Sequence, residues 1–338
     1  MAKAGMTRVT IPKPLLDAKN SAAAEFLSPD TGEVLTAFLA RPNPQHNVVG
    51  VGLGRKIVKG KASANYCVRF YVEKKLPKEA IPKEFMLPEK VGGIPTDVVE
   101  TGRFRAFAGG AKERARVRPA RPGCSVGFAF SGAKAGTVMA GTFGAVVEAD
   151  GKRFILSNNH VLANENGLPI GSDIFQPGLL DKNAPTSDVI AKLAKFIPLA
   201  TSHANQVDCA IAEPTDVKLT SPTIMPKVGK LKSGQPLAAA VSMKVEKTGR
   251  TTGYTTGTIQ DISANVKVGY EIGALTFSNQ IIIVGGATSF SDAGDSGSLI
   301  VEQAAKRPVG LLFAGSASHT IANHIEDVLN QLKVSIVA

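Results

Sequence analysis

A chain of 338 residues with 43% hydrophobic content is long enough for two domains with aliphatic cores, and it contains no Trp. Of its 39 Lys/Arg and 28 Asp/Glu, 22 and 11 precede residue 122, so the net +11 lies wholly there and the remaining 17 of each sign cancel. No run of 18 apolar residues marks a membrane span, three scattered cysteines make no disulfide framework, and no metal-ligand spacing, phosphate loop or dinucleotide fingerprint is present.

Residues 1–8 lack the apolar core of a secretory signal, and with the sparse cysteines this predicts a cytoplasmic protein with reduced thiols. Turn signals at Pro29 and Gly32 interrupt residues 16–42, so 1–44 reads as a partly helical N-terminal arm. Residues 47–54 and 66–72 read as strands joined by a turn around Gly60. A proline-interrupted helix or turn follows at 76–85, and a third strand at 96–100, giving a small α/β domain over 45–102. Residues 103–121 carry Arg103, Arg105, Lys112, Arg114, Arg116, Arg118 and Arg121. Such a run predicts an exposed, flexible basic linker, the alternatives being a regulated cleavage site and an arm for an acidic partner or nucleic acid. It lacks the interleaved aromatics and recognition helix of a nucleic-acid reader.

Thirty-four glycines and twenty prolines among short Val/Ile/Leu runs predict a β-rich chain. Residues 280–284 and 297–301 read as buried strands. The helical spacing of 321–332 predicts a terminal helix, with His319 and His324 as surface residues at its start.

Three motifs carry chemistry. In Gly294-Asp295-Ser296-Gly297-Ser298 two glycines flank a serine, and the bend aims the amides of Gly294 and Ser296 at one point, as an oxyanion requires. A serine needs a base and an orienting acid. His160 stands in the turn after the apolar strand at 154–157, and Asp208 heads the strand at 207–212. Asp173, Asp181 and Asp188 compete for the acid's role, but none is followed by so apolar a strand. The chain order is His160, Asp208, Ser296, separated by 48 and 88 residues.

With Lys247-Thr248-Gly249-Arg250-Thr251-Thr252-Gly253 as a fourth piece, residues 122 to about 330 resemble the chymotrypsin/trypsin-like serine peptidases, especially the bacterial branch. The resemblance implies an all-β catalytic domain over 122–338, a chymotrypsin-like double β-barrel with a C-terminal helix, preceded by the small α+β domain. It implies that Ser296 attacks, His160 carries the proton, Asp208 holds the imidazole, and Gly294 and Ser296 form the oxyanion hole, with no metal or cofactor. Asp295 would brace the loop. The pocket would be formed by Phe290 and Ser291 before the nucleophile and Phe313, Ala314 and Gly315 after it. Phe290 takes the place where trypsin-type enzymes keep an acid, which implies a small or apolar P1 side chain. Asp292 stands nearby in the sequence. Residues 45–102 resemble domains found ahead of some bacterial trypsin-like peptidases.

The function expected is a serine endopeptidase acting on protein or peptide substrates. Residues 1–102 would regulate it as an inhibitory or chaperoning prosegment, a zymogen released through the basic linker. The alternatives are a silent peptidase-like binding module, a serine esterase with the same triad, and a binder of acidic partners or nucleic acid through the N-terminal half.

Overall fold

The computed structural model describes residues 10–27, 47–58, 61–105, 114–129, 138–181, 188–225, 227–286 and 288–338. The N-terminal region contains α1 (Lys13–Phe26), β1 (Val48–Val58), β2 (Lys61–Val72), β3 (Lys90–Val91), β4 (Ile94–Glu100) and β5 (Phe104–Arg105). A first set of strands follows: β6 (Ser125–Phe128), β7 (Gly141–Thr142), β8 (Ala145–Ala149), β9 (Lys152–Ser157), β10 (Asp173–Phe175), β11 (Val189–Phe196) and β12 (Ala210–Pro214), with the single-turn α2 (Asn159–Leu162) after β9. The second set is β13 (Lys244–Gly249), β14 (Gly253–Tyr270), β15 (Gly273–Gly285), β16 (Leu299–Glu302), β17 (Pro308–Gly315) and β18 (His319–His324), followed by α3 (Ile325–Leu332) and β19 (Ser335–Ile336).

Two curled sheets make residues 122–338 an all-β double barrel. The first runs β19-β8-β9-β12-β11-β10-β6-β7 around Val126, Phe128, Phe143, Ile155 and Ile190. In the second, β13-β16-β17-β18-β15-β14 closes on itself through the β13–β14 pairing, around Val245, Ile259, Ile283 and Leu312. The barrels meet through Leu156, Cys209, Leu299 and Leu311, which the α3 residues Ile325, Val328, Leu329 and Leu332 cover. That three-one-three spacing is the apolar stripe of a docked helix.

β14 belongs to two structures. Its burial alternates over 257–263 and, in the opposite phase, over 264–268, the period-two pattern of a strand with one face on a core. Register shifts against β15 between Ile259 and Val266 mark bulges, which bend it away from the barrel. Beyond them β1 pairs with it at Gly50↔Val266 and Val51↔Asn265, so the N-terminal sheet β1-β2-β4-β3 continues the second barrel's sheet.

One pleat face of β1 carries Val51 and Leu53, which pack with Val68, Phe70 and the alanines Ala18, Ala22 and Ala23 of α1. Pro14 lies in the first turn of α1, where its missing N–H costs no intrahelical bond. The other face carries Gly52 and Gly54, and here the glycines are required. A Cβ at Gly52 would lie 1.9 Å from Asp261 Oδ2, and one at Gly54 2.4 Å from Arg69 Cζ. The space holds a buried polar joint: Tyr71 donates to Asp261 Oδ2 at 2.8 Å, while Lys19 reaches Ser263 O and Asn265 Oδ1 at 3.1 Å each.

Three expectations are modified. α1 docks on the β1-β2-β4 sheet, so the helix belongs with the domain and not with a separate arm; residues 28–46 of that arm lie outside the described residues. Residues 114–121 are held against the first barrel by Arg114–Asp181, Arg116–Asp188 and Arg118–Asp188 ion pairs, and Ala120 is buried. The charges of Arg114, Arg116 and Arg118, which read as part of a solvated linker, are thus met by acids, while 106–113 lie outside the described residues. The C-terminal helix begins at Ile325, and His319 and His324 bound a strand, His319 being buried beside Tyr71. Among the described residues no helix is long and apolar enough to cross a membrane.

Candidate active site

The apolar β9 delivers its chain into Asn158, the N-cap of α2, and α2 carries His160. Asp208 precedes β12, which pairs with β9 at Ala210↔Ser157, so the two motifs meet although 48 residues separate them. His160 Nδ1 lies 2.5 Å from Asp208 Oδ2. Asp208 Oδ1 accepts the Asn159 amide at 2.7 Å and the His160 amide at 3.3 Å. Its backbone is fixed as well: its amide donates to Asn323 Oδ1 at 3.0 Å, and its carbonyl accepts from Asn158 Nδ2 at 2.7 Å. Both Oδ2 contacts come from side chains, the second being the Tyr270 hydroxyl at 2.7 Å. A carboxylate so placed holds the imidazole with Nδ1–H toward it, leaving Nε2 as the acceptor.

Ser296 comes from the second barrel. Gly294 at φ +95° and Gly297 at φ +94° flank it, both in the left-handed region that the bend requires. Thr142 of β7 clasps this loop: its amide donates to Ser296 O at 2.8 Å, and its hydroxyl donates to Gly294 O at 3.0 Å. The two carbonyls are thereby engaged by the first barrel, while among the described residues no acceptor takes the amides of Gly294 or Ser296. Asp295 braces the loop as expected from the sequence. It accepts Lys247 Nζ at 3.1 Å, the amides of Thr251 and Thr252 at 2.8 and 3.2 Å, and the Thr252 hydroxyl at 2.6 Å. Lys247 is fully buried, and burial lowers its ammonium pKa while Asp295 opposes that shift. The Lys247–Gly253 motif is therefore the seat of the nucleophile loop. Its Arg250 does not reach Asp295; it forms a buried pair with Asp181.

Ser296 Oγ donates to the Phe313 carbonyl at 3.2 Å, and His160 Nε2 is buried without a partner. Ser296 and His160 are each only 1% exposed. The structure thus brings Asp208 and His160 into direct contact and leaves the serine hydroxyl turned toward β17.

The rival acids lie elsewhere: Asp173 pairs with Lys192, Asp181 with Arg250 and Arg114, and Asp188 with Arg116 and Arg118. Of the expected pocket residues, Phe290 packs inside the second barrel with Val245, Ile259 and Ile283, and Ser291 exchanges a hydrogen bond with the Thr320 hydroxyl at 2.5 Å. Phe313 packs on Phe277, ring centroids 4.6 Å apart, and Ala314 is buried. Gly315 pairs with Arg105 of β5. Asp292 is exposed, its carboxylate accepting the Ala293 amide at 2.7 Å. Among the described residues no cluster of three His, Cys, Asp or Glu side chains could hold a metal. Sequence reasoning missed Thr142, Tyr270, Asn323 and Glu165. Of these only Tyr270 had a local signal, an aromatic just before the Gly273 hairpin turn.

A family model for the Nal1 C-terminal domain matches residues 196–327. No curated protein matches the chain. Among solved structures, a glutamic-acid-specific serine protease that uses a histidine triad in substrate binding is 19% identical, with a TM-score of 0.46 over 64% of this chain and 100% of its own. Thermobifida fusca protease A is 18% identical, TM-score 0.46, over 65% and 100%. The Nocardiopsis protease NAPase is 16% identical, TM-score 0.45, over 65% and 100%. These three solved structures are chymotrypsin-like serine proteases of the bacterial kind.

Proposed function

We propose that the chain is a serine endopeptidase working through a covalent acyl-enzyme. Ser296 attacks the scissile carbonyl, His160 Nε2 takes the hydroxyl proton and returns it to the leaving amine, and Asp208 steadies the imidazolium. The amides of Gly294 and Ser296 receive the oxyanion, each lowering the barrier by about 3 kcal/mol. The observation that carries this reading is the 2.5 Å His160–Asp208 contact, which leaves Nε2 buried and without a partner. Rotation of the serine hydroxyl from Phe313 O toward Nε2 would complete the relay, a tightening that resting sites commonly await.

A small or apolar P1 side chain is part of the proposal. The strand at 313–314 offers only apolar side chains, Phe290 stands where an acid would select Lys or Arg, and Asp292 is turned to solvent. Regulation by the N-terminal region is a further part, with β5 seated on Gly315 at the end of the pocket strand. The continuous sheet through β1 and β14 favours a resident regulator over a prosegment that departs through 103–121. Peptide, not nucleic acid, is the partner we favour, since Arg114, Arg116 and Arg118 already face Asp181 and Asp188.

One observation favours a second reading, a silent peptidase-like binding module: Ser296 Oγ is engaged by Phe313 O and not by His160. Fluorophosphonate labelling of the full-length chain, read by intact mass and peptide mapping with Ser296→Ala as control, separates the two. A single adduct on Ser296 is expected; an unlabelled, folded chain would move the assignment to the binding module.

A further inference from the structure

Tyr270 shares the acid of the triad. Its hydroxyl donates to the same oxygen, Asp208 Oδ2, that His160 Nδ1 contacts, and its ring stands edge-on to the imidazole with centroids 5.8 Å apart at 79°. The ring is placed by its own hairpin: it stacks on Phe277 of β15 at 5.8 Å and 24°. The hairpin tip is clamped by Glu165, from the segment after α2, which accepts the amides of Glu271 at 3.1 Å and Ile272 at 2.9 Å. Just before the tip, β5 pairs with Val268 and Gly269, and further back β1 pairs with Asn265 and Val266. The phenol therefore arrives at Asp208 from an element that the N-terminal region, β15 and Glu165 jointly hold.

We propose that Tyr270 is a positioning residue of the triad, fixing the rotation of the Asp208 carboxylate and setting the basicity of the imidazole that the carboxylate holds. This rests on the triad reading above and deepens it. An oxygen shared between two donors presents less unshielded charge to either. With the phenol hydroxyl removed, Oδ2 faces the imidazole alone, the imidazolium is better stabilised, and the His160 pKa rises. The other titratable groups around the cluster are Glu165, with Glu271 beside it, and the Cys209 thiol next to Asp208 in the chain. Burial and then the Asp208 charge hold the Tyr270 phenol and the Cys209 thiol well above their ordinary ranges, so both stay protonated at neutral pH. Burial also raises the Glu165 carboxyl, with the Ile272 and Glu271 amides and the nearby His160 opposing.

The test is a pH titration of the His160 ring by 15N-histidine NMR in the full-length chain, with its resonances identified by their loss in His160→Asn. Tyr270→Phe keeps the ring and its stacking on Phe277. It is expected to raise the His160 midpoint by on the order of one pH unit and to slow fluorophosphonate labelling at pH 7 roughly tenfold. Phe277→Leu, which removes the partner on which the Tyr270 ring stacks without changing any charge, should move the midpoint the same way by a smaller amount. A Tyr270→Phe chain that is less heat-stable but has an unmoved midpoint would overturn the proposal, because the hydroxyl would then be structural only. Should Tyr270→Phe lose its folded spectrum, an unmoved midpoint in Phe277→Leu overturns it instead. If Ser296 of the unaltered chain takes no label, the peptidase reading falls while the titration still decides the link from Tyr270 to His160.

Discussion

Two tyrosine–aspartate pairs involve the same strand and do different work. At one end of β14, Tyr270 donates to Asp208 at 2.7 Å; in its middle, Asp261 accepts Tyr71 at 2.8 Å. Asp208 also takes an imidazole and two backbone amides, so its remaining contacts are those of a site. Asp261 takes the Ser263 amide at 2.9 Å, with Arg69 and Lys19 close enough to act on it. Burial nevertheless prevails over those donors and charges and pushes its pKa up to about 6. A tyrosine on an aspartate serves the proposed site where an imidazole shares the carboxylate, and adhesion where two structural units share it.

The largest test of that contrast is Asp208→Asn. It should slow labelling of Ser296 about 10⁴-fold, because an amide cannot hold the imidazole with Nε2 free as acceptor; a loss below tenfold would remove Asp208 from the site. At the other pair the effect is on stability and carries a pH signature. A folded pKa near 6 lies above the unfolded value of about 3.9. The native state therefore binds the extra proton, and the contribution is fully present below about pH 4 and lost as pH rises through 6. Urea unfolding should show about 2–3 kcal/mol lost over that window, and Asp261→Asn should flatten it; an equal slope in the variant would assign it to other groups. Gly52→Ala, which sets a Cβ against Asp261 Oδ2, should cost about 1–3 kcal/mol by overpacking, read from the urea midpoint. The smallest change is Tyr71→Phe, costing about 1 kcal/mol and leaving the His160 titration where it was. Movement of that titration would mean that the two pairs are coupled along β14.

The His160, Asp208 and Ser296 motifs were legible because each has a local cause. The glycines around Ser296 announce a left-handed bend, and the apolar strands beside His160 and Asp208 announce buried elements that place a polar residue at their ends. Thr142 and Asn323 had no such cause. Thr142 works through carbonyls 152 and more residues away, and Asn323 through an amide 115 residues away. The helix expected at 321–332 was half right because Ile321 and Ile325 are spaced for a helix as well as for a strand. Pairing of 319–322 with β15 decides for strand, and only α3 keeps the helical stripe. At 114–118 the basic run is pinned and not a free linker, for the converse reason: Asp181 and Asp188, which meet these arginines, are 67 to 72 residues further on and invisible to a local reading of charge. Gly52 and Gly54 read as parts of a strand, but their reason is the buried Asp261 and Arg69, which no nearby residue foretells.

The pairing of β1 with β14 also has a meaning for solubility. Ala264, Val266 and Val268 are buried, and the backbone of this outer stretch of β14 is paired on one side by β1 and β5. A chain shortened to begin after residue 118 would present that stretch as a bare, apolar sheet edge, the kind of template on which further copies add strands. Self-association of such a fragment would then silence it for reasons unrelated to inhibition or activation, and the N-terminal region would have acted as an edge guard as much as a regulator.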